Sequence, residues 1–286
     1  MLKELSFSKN SLIYMNDKDS VAICFSHIGQ RLNHEDNLFV NGLYLTPNLQ
    51  KQFLDKCCCT LIEPALSKVR LFAISDGMGG HNAGEVASLI CAEKLSLAQK
   101  ELQHYTSLDE AVAYLQTVIV EINNTVCEQS QKNSDLKGMG ATLVLLVLCG
   151  MNCAVLNIGD SRAYHYSNGS LVQITKDHTE GQRMLDLGLL TRKELSGFPA
   201  RKNLNRYIGY RQSGYVLQAD EYYPTLESGM ILLCSDGISD FISDNRIVEI
   251  LSSESDLEIA GKQLIDEAIV SHKADNATVM LIPLRR

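Results

Sequence analysis

Five acidic residues of this 286-residue chain stand where an apolar run meets a turn: Asp36, Asp76, Asp160, Asp236 and Asp275. Four of them sit beside Gly or Asn, in Asp76-Gly77, Gly159-Asp160, Asp236-Gly237 and Asp275-Asn276. Two are delivered alike. Leu71 to Ser75 and Ile231 to Ser235 are short apolar runs of the kind that form buried strands, and each ends in Asp-Gly. Taken singly, an Asp at a glycine turn reads as a solvated turn residue, and a lone Asp-Gly pair as a hairpin. Repetition of the device changes that reading. If the strands share one or two sheets, the carboxylates converge, and clustered carboxylates in a low-dielectric cleft repel until cations come between them. All-oxygen coordination selects Mg²⁺ or Mn²⁺ over zinc or copper. Two such ions roughly 3.5–4 Å apart would clamp a water, lower its pKa and stabilise both apical oxygens of an in-line phosphoryl displacement.

The elements that must position these residues can be read in order. Ser20 to His27 forms a first strand, Gly29 to Asn37 a polar loop, and Leu38 to Val40 a second strand with Asn41-Gly42 as its turn. Residues 43 to 68 hold Pro47, Pro64 and Cys57-Cys58-Cys59 without a clear period, and read as an insertion with one short helix. Gly77, Gly79 and Gly80 are expected to give the backbone positive φ and a close approach to a ligand. Ala83, Val86, Ala87 and Ile90 then mark a helix to about residue 103, and Ser107 to Glu110 a capping box opening a second one. Those two helices are expected to lie antiparallel over a sheet.

Four apolar segments follow: Ala141 to Cys149, Cys153 to Ile158, Ala163 to Tyr166 and Leu171 to Ile174, the last pair joined by Asn168-Gly169. They read as one antiparallel meander. Residues 178 to 215 are polar, with a short helix near Arg183 to Leu187, and read as a flap. Strands at Met230 to Cys234 and Ala277 to Ile282 enclose helices near Asp244 to Leu251 and Leu257 to Ala268. Strands and helices are segregated, which argues for an α+β fold with antiparallel sheets in a single domain over 1–286.

Composition narrows the partners. The chain is 45% hydrophobic and 21% charged, as in ordinary globular proteins, and its net charge is −8 with no Lys/Arg block. Neither nucleic acid nor an anionic membrane is an expected partner. No secretory h-region and no apolar run of the roughly 18 residues that span a bilayer is present. Nine cysteines, an odd number without CxxC spacing, fit reduced thiols in the cytoplasm rather than a disulfide or zinc framework.

Arg31-x-x-x-Glu35-Asp36, Asp76-Gly-Met-Gly-Gly-His81, Gly159-Asp160-Ser161-Arg162, Ser235-Asp236-Gly237 and Asp275-Asn276 occur in that order. In these motifs, and from about Val21 to Leu284, the chain resembles the metal-dependent type 2C family of serine/threonine protein phosphatases in its bacterial form. Any one motif is weak; five in order, with elements of suitable length between them, are specific. The resemblance implies a four-layer α/β/β/α sandwich of two antiparallel sheets flanked by helix pairs. It implies hydrolysis of phosphoserine and phosphothreonine by a water or hydroxide bridging two Mn²⁺ or Mg²⁺ ions, without a phospho-enzyme. Asp76 would bridge the ions, with the Gly77 carbonyl on one and Asp236 and Asp275 on the other. Glu35 and Asp36 would bind directly or through water, and Asp160 would help form a third, weaker divalent site.

Arg31 would grip the substrate phosphate as a bidentate fork, which lysine does less well. His34, His81 and Asn276 would stand behind these groups. The substrates would be phosphoproteins in a signalling pathway opposite a serine/threonine kinase, and the molecule a monomer. The chain departs from the family pattern at three places: His34 stands where Asn is common, Met78 where eukaryotic members carry a His, and Phe198-Pro199 where His-Pro is frequent. The rival reading is a catalytically inactive phosphoprotein-binding or scaffold protein on the same fold.

Overall fold

The computed structural model of the protein describes residues 22–47, 58–61, 68–79, 83–225 and 228–284. His81, Gly80, Cys57 and the short helix expected within 43–68 lie outside the described residues. Thirteen strands are described: β1 (Ile23–His27), β2 (Asp36–Val40), β3 (Leu43–Tyr44), β4 (Cys58–Leu61), β5 (Val69–Met78), β6 (Gly140–Ala141), β7 (Leu143–Cys149), β8 (Asn152–Ile158), β9 (Arg162–Ser167), β10 (Ser170–Gln173), β11 (Asp220–Tyr222), β12 (Gly229–Cys234) and β13 (Ala277–Leu284). The helices are α1 (Ala83–Glu101), α2 (Leu108–Lys132), α3 (Glu180–Asp186), α4 (Arg192–Leu195), α5 (Asp236–Ser239), α6 (Asp244–Ser253) and α7 (Leu257–Ala268).

One sheet runs β10-β9-β12-β13-β1-β4 and the other β11-β8-β7-β5-β2-β3, with β6 pairing β5 off that path. Three apolar layers separate four layers of structure. Side chains alternate along a strand, so Val69, Leu71 and Ala73 of β5 face α1 and α2 while Phe72 and Ile74 face the other sheet. On β12, Ile231 and Leu233 enter the inter-sheet layer, while Met230, Leu232 and Cys234 meet α5, α6 and α7. Central strands are thus buried on both faces, which is why they read as unbroken apolar runs rather than alternating ones. The fold is the expected α+β sandwich.

Several local expectations hold. Asn41 and Asn168 take φ of 48° and 50°, each followed by a glycine at positive φ, in the tight turns joining β2 to β3 and β9 to β10. Ser107 is the N-cap of α2, but its side chain makes no capping hydrogen bond, so the expected box does not form there. A complete box closes instead at Thr191 and Glu194, at the start of α4. The largest correction concerns the meander. β7 and β8 pair in one sheet and β9 and β10 in the other, so the Gly159-Asp160-Ser161 turn carries the chain between sheets. Gly159 makes this possible with φ of 101°. Apolar periodicity identifies strands, whereas sheet membership depends on which edges are free to pair.

Leu145 is fully buried between β7 and the helix pair. Leu145→Ala is expected to cost about 2–5 kcal/mol, lost transfer energy plus an unfilled cavity. Val172→Ala, on an exposed position of β10, should shift stability by less than about 0.5 kcal/mol. Urea unfolding of the two variants beside the parent measures both, and equal losses would contradict the assignment of the core.

Candidate functional site

The acidic residues converge where the ends of the two sheets meet. Asp36 opens β2 directly opposite Asp76 on β5, so antiparallel pairing alone sets two carboxylates side by side. Asp36 is fully buried, and its Oδ2 accepts from the hydroxyls of Ser235 (2.8 Å) and Thr278 (2.6 Å), which belong to the other sheet's side of the cleft. Ser235 ends the β12 run, and Asp236 follows at the start of α5. Asp160 comes from the crossing between β8 and β9, and Asp275 immediately precedes β13. Arg31, Glu35, Asp76, Gly77, Asp160, Asp236, Asp275 and Asn276 line one cleft of about 620 Å³, with Asp36 beneath it.

Burial and mutual repulsion act together on these groups. Burial, opposed by the Thr278 and Ser235 donors, lifts Asp36 to about 7. Burial followed by the charge of Asp236 lifts Asp160 to about 8. Asp236 is lifted to about 7 by burial first and then by Asp240 and Asp275, and it hydrogen-bonds Asp76. Asp76 is raised well above the carboxylate range by burial and then by Asp36, Asp236, Asp160 and Asp275 in turn. A group that feels four other carboxylates is the centre of the cluster. Two acids sharing a proton mark a place where a cation can replace it.

Among the described residues, no three His, Cys, Asp or Glu side chains gather on one coordination point as they stand. The carboxylates line the cleft and answer other partners: Asp76 meets Asp236, Asp36 meets Ser235 and Thr278, and Asp275 meets Arg31. The donor set nonetheless suits hard divalent ions, being carboxylate oxygen and backbone carbonyl without thiolate or imidazole.

The backbone around the cluster is tightly packed. Gly77 does not take positive φ, contrary to expectation; its lack of a side chain serves close approach instead. A Cβ there would fall 2.1 Å from the Gly84 carbonyl oxygen, and one on Gly84 would fall 2.8 Å from the Glu35 carboxylate. The first turn of α1 therefore rests directly on the Asp76-Gly77 backbone. Glu35 is half-buried and raised by burial, with Arg31 opposing. Its carbonyl accepts from the Gly77 N–H (3.1 Å) and the Ser88 hydroxyl (2.6 Å).

Asn276 binds the Arg31 loop to β13. Its Oδ1 accepts from the Glu35 N–H (2.7 Å), and its Nδ2 donates to the carbonyls of Ile28 (2.8 Å) and Asn33 (3.1 Å). His34 is buried and lowered to about 4, chiefly by that burial, so its imidazole is neutral. It contacts the Ser26 hydroxyl, which contacts Thr278, which donates to Asp36. Arg31 remains half-exposed at the rim, paired with Asp275. Met78 lines the cleft, and Phe198 lies in the flap between α4 and Arg201.

Some organising residues escape sequence reading. The Thr142 hydroxyl accepts from the Asp76 N–H (2.9 Å) and meets Ser161 (2.6 Å), joining the Asp76 and Asp160 strand ends. His178 Nδ1 accepts from the Gly159 N–H (2.9 Å), which leaves Nε2 to donate to Asp220 (3.0 Å) and ties the flap to the Asp160 turn. Their signal is slight: single polar residues such as Ser26, Thr142 and Thr278 interrupt otherwise apolar strands.

Known proteins resemble this chain in sequence and in fold. The family model described as Protein phosphatase 2C matches residues 46–277. The serine/threonine phosphatase Stp of Listeria monocytogenes is 33% identical over 210 residues, 73% of this chain and 82% of that protein. The serine/threonine protein phosphatase PstP of Mycobacterium tuberculosis is 36% identical over 218 residues, 74% of this chain and 40% of that longer one. The crystal structure of M. tuberculosis PstP/Ppp superposes with a TM-score of 0.74 at 30% identity, covering 93% of this chain and all of that one. The PstP catalytic domain in complex with 2 manganese ions gives a TM-score of 0.70 at 29% identity, covering 93% and 99%. On its matched motifs, its sheets and these relatives, the chain belongs to the protein phosphatase 2C family.

Proposed function

We infer that this protein is a metal-dependent phosphatase acting on phosphoserine and phosphothreonine in proteins, and we propose that the acidic cleft is its active site. One observation carries the reading: carboxylates from both sheets converge in one cleft, with Asp36 fully buried beneath it and an arginine at the rim. An inactive phosphoprotein binder on this fold would gain nothing from buried charges that repel one another.

In this reading Asp76, the Gly77 carbonyl, Asp236 and Asp275 hold two Mn²⁺ or Mg²⁺ ions, Glu35 and Asp36 bind directly or through water, and Asp160 contributes to a third, weaker site. When bound, the ions supply Lewis acidity and a water of lowered pKa. Arg31 leaves Asp275 to fork onto the substrate phosphate, and the freed carboxylate turns to the cation site. Among the described residues no Ser, Cys or His lines the cleft; its two hydroxyls are those of Tyr207 and Thr142, and Thr142 accepts from the Asp76 N–H. In this reading the nucleophile is water, without a phospho-enzyme, as the resemblance to the family implies. Asn276 and the His34–Ser26–Thr278 chain hold Glu35 and Asp36 in place.

We further place the protein as a monomer in the cytoplasm, opposite a serine/threonine kinase in signal transduction, with a single catalytic domain whose flap covers about 178–215. Among the described residues the buried thiols of Cys91, Cys127, Cys149, Cys153 and Cys234 form no disulfide, which suits a reducing compartment. No described helix is long and apolar enough to cross a membrane.

Hydrolysis of p-nitrophenyl phosphate and of a phosphothreonine peptide should require Mn²⁺ or Mg²⁺. Asp76→Asn and Asp236→Asn should each lower kcat/KM by about 100-fold or more, the scale of losing one preorganised charge contact in an active site. Activity retained in either variant would remove the assigned centre.

Stability should report the same cluster. The folded pKa values of Asp36, Asp160 and Asp236 lie at about 7 to 8, above the unfolded value of about 3.9. The folded, metal-free protein therefore holds protons that the unfolded chain has released. The contribution of these groups is full below about pH 4 and is lost as pH rises through 7 to 8. Mn²⁺ at about a hundred times its Kd should restore about 2.7 kcal/mol. Thermal unfolding with and without chelator across that range measures both effects, and a pH-independent chelated protein would refute the clustering.

Asn276→Ala strips three hydrogen bonds, one fully buried, from the Arg31–Glu35 loop. It should cost about 1–3 kcal/mol and weaken Mn²⁺ binding by about 10–100-fold. Unfolding curves and metal titration by calorimetry separate the two losses; unchanged metal affinity would reduce Asn276 to a purely structural brace.

A further inference from the structure

Charge is unevenly distributed in this chain. Between His178 and Tyr215 seven Lys and Arg stand against three Asp and Glu, whereas the remaining residues carry 19 against 31. A basic flap thus borders an acidic catalytic cleft. Lys202, Asn203, Leu204 and Tyr207 of the flap line that cleft, and Lys202 and Arg31 are its two cationic lining residues.

The backbone carrying Lys202 is firmly placed. The Arg201 carbonyl accepts from the Gly181 N–H (3.1 Å) and the Asn203 carbonyl from the Glu180 N–H (2.8 Å), so both neighbours of Lys202 are bonded to the first turn of α3. Thr179 and Leu204 form a bridge beside them. The Lys202 side chain is held differently. It is half-exposed and pairs with Asp240, the residue that closes α5. An accessible Lys–Asp pair contributes little and exchanges partners readily. The flap's other ion pairs among the described residues, Arg183–Glu180, Arg206–Asp220, His178–Asp220 and Asp186 with Lys176, leave Arg192, Lys193 and Arg201 facing solvent.

We propose that the flap reads acidic side chains next to the phosphorylated residue of the substrate, with Lys202 exchanging Asp240 for a substrate carboxylate at the lip of the cleft. The proposal rests on the phosphatase reading and adds the substrate class. Arg31 is taken up by the phosphate itself, so Lys202 is the lining cation left to select what flanks it. A fixed backbone with an exchangeable side-chain partner is the arrangement a specificity residue needs: the charge is preorganised and its release costs little.

The test compares two phosphothreonine peptides of equal length, one with Glu on both sides of the phosphothreonine and one with Gln, using the full chain with Mn²⁺. The readout is the ratio of their kcat/KM values, which cancels any loss common to both. The wild type should favour the Glu peptide about fivefold, the scale of one exposed ion pair. Lys202→Arg should keep that preference, Lys202→Ala should bring the ratio near one, and Lys202→Glu should invert it. Asp240→Asn frees the ammonium and should raise the ratio. The preference should also fade toward one in about 0.5 M salt, where screening is nearly complete at contact distances. If Lys202 and Asp240 formed only a structural latch, Lys202→Ala and Asp240→Asn would behave alike and neither would move the ratio. That result, or a wild-type ratio of one, overturns the proposal. A wild type inactive on both peptides and on p-nitrophenyl phosphate would instead overturn the phosphatase reading, and this inference with it.

Discussion

The repulsion between Asp36 and Asp76, set opposite each other on β2 and β5, is the constraint to which the rest of the site responds. Asp36 cannot retreat to water, being fully buried, and its partner Asp76 lines the cleft directly above it. Asp160, Asp236 and Asp275 bring further negative charge to the same place, and desolvation is the larger cause of the raised pKa values throughout. Without cations the cluster keeps itself neutral with shared protons and with Arg31 on Asp275. The same geometry that is unfavourable for an empty cleft is favourable for hard divalent ions, so metal affinity and metal-free instability have one cause.

What holds the groups against their repulsion is a frame of short-range contacts between backbones and hydroxyls. Gly77 and Gly84 let α1 rest on the Asp76 strand end, closer than any side chain would permit. Thr142 and Ser161 join two strand ends of one side, while Ser26, Thr278 and Ser235 join the other sheet to Asp36. Each of these hydroxyls is buried with its partner, so deleting one leaves an unanswered polar group rather than a merely weaker contact. Asn276 does the same for the Arg31 loop with a single amide. The frame is therefore stiff around the carboxylates and looser at the rim, where Arg31 and Lys202 stay accessible and pair with Asp275 and Asp240.

The segment 178–215 is tied to the acidic cleft at both ends of its course. His178 donates to Asp220 and accepts from Gly159, so the flap's first residue is fastened to the turn that presents Asp160. From that anchor the segment returns through Arg201, Lys202 and Asn203 over the cleft. The acidic interior has the donor set that hard cations take, and the basic flap borders it.

Strands, the two tight Asn-Gly turns and both helix pairs were legible in the sequence, because apolar periodicity and turn chemistry are local and recur every few residues. The acidic residues were legible too, since a carboxylate ending an apolar run is conspicuous without any coordinates. Sheet membership was not: β8 and β9 are neighbours in sequence yet lie in different sheets, a choice made by which strand edges remain open after β12 and β13 pair. Nor did the sequence reveal Thr142, Ser26 or Thr278 as supports, since a lone hydroxyl in an apolar strand acquires its role only from what packs against it. The amino-acid order by itself determined which residues could do the chemistry and that they sit at strand ends. Only the tertiary structure decided that those ends share one cleft, because convergence across two sheets depends on pairing between residues more than two hundred positions apart, such as Asp36 and Thr278.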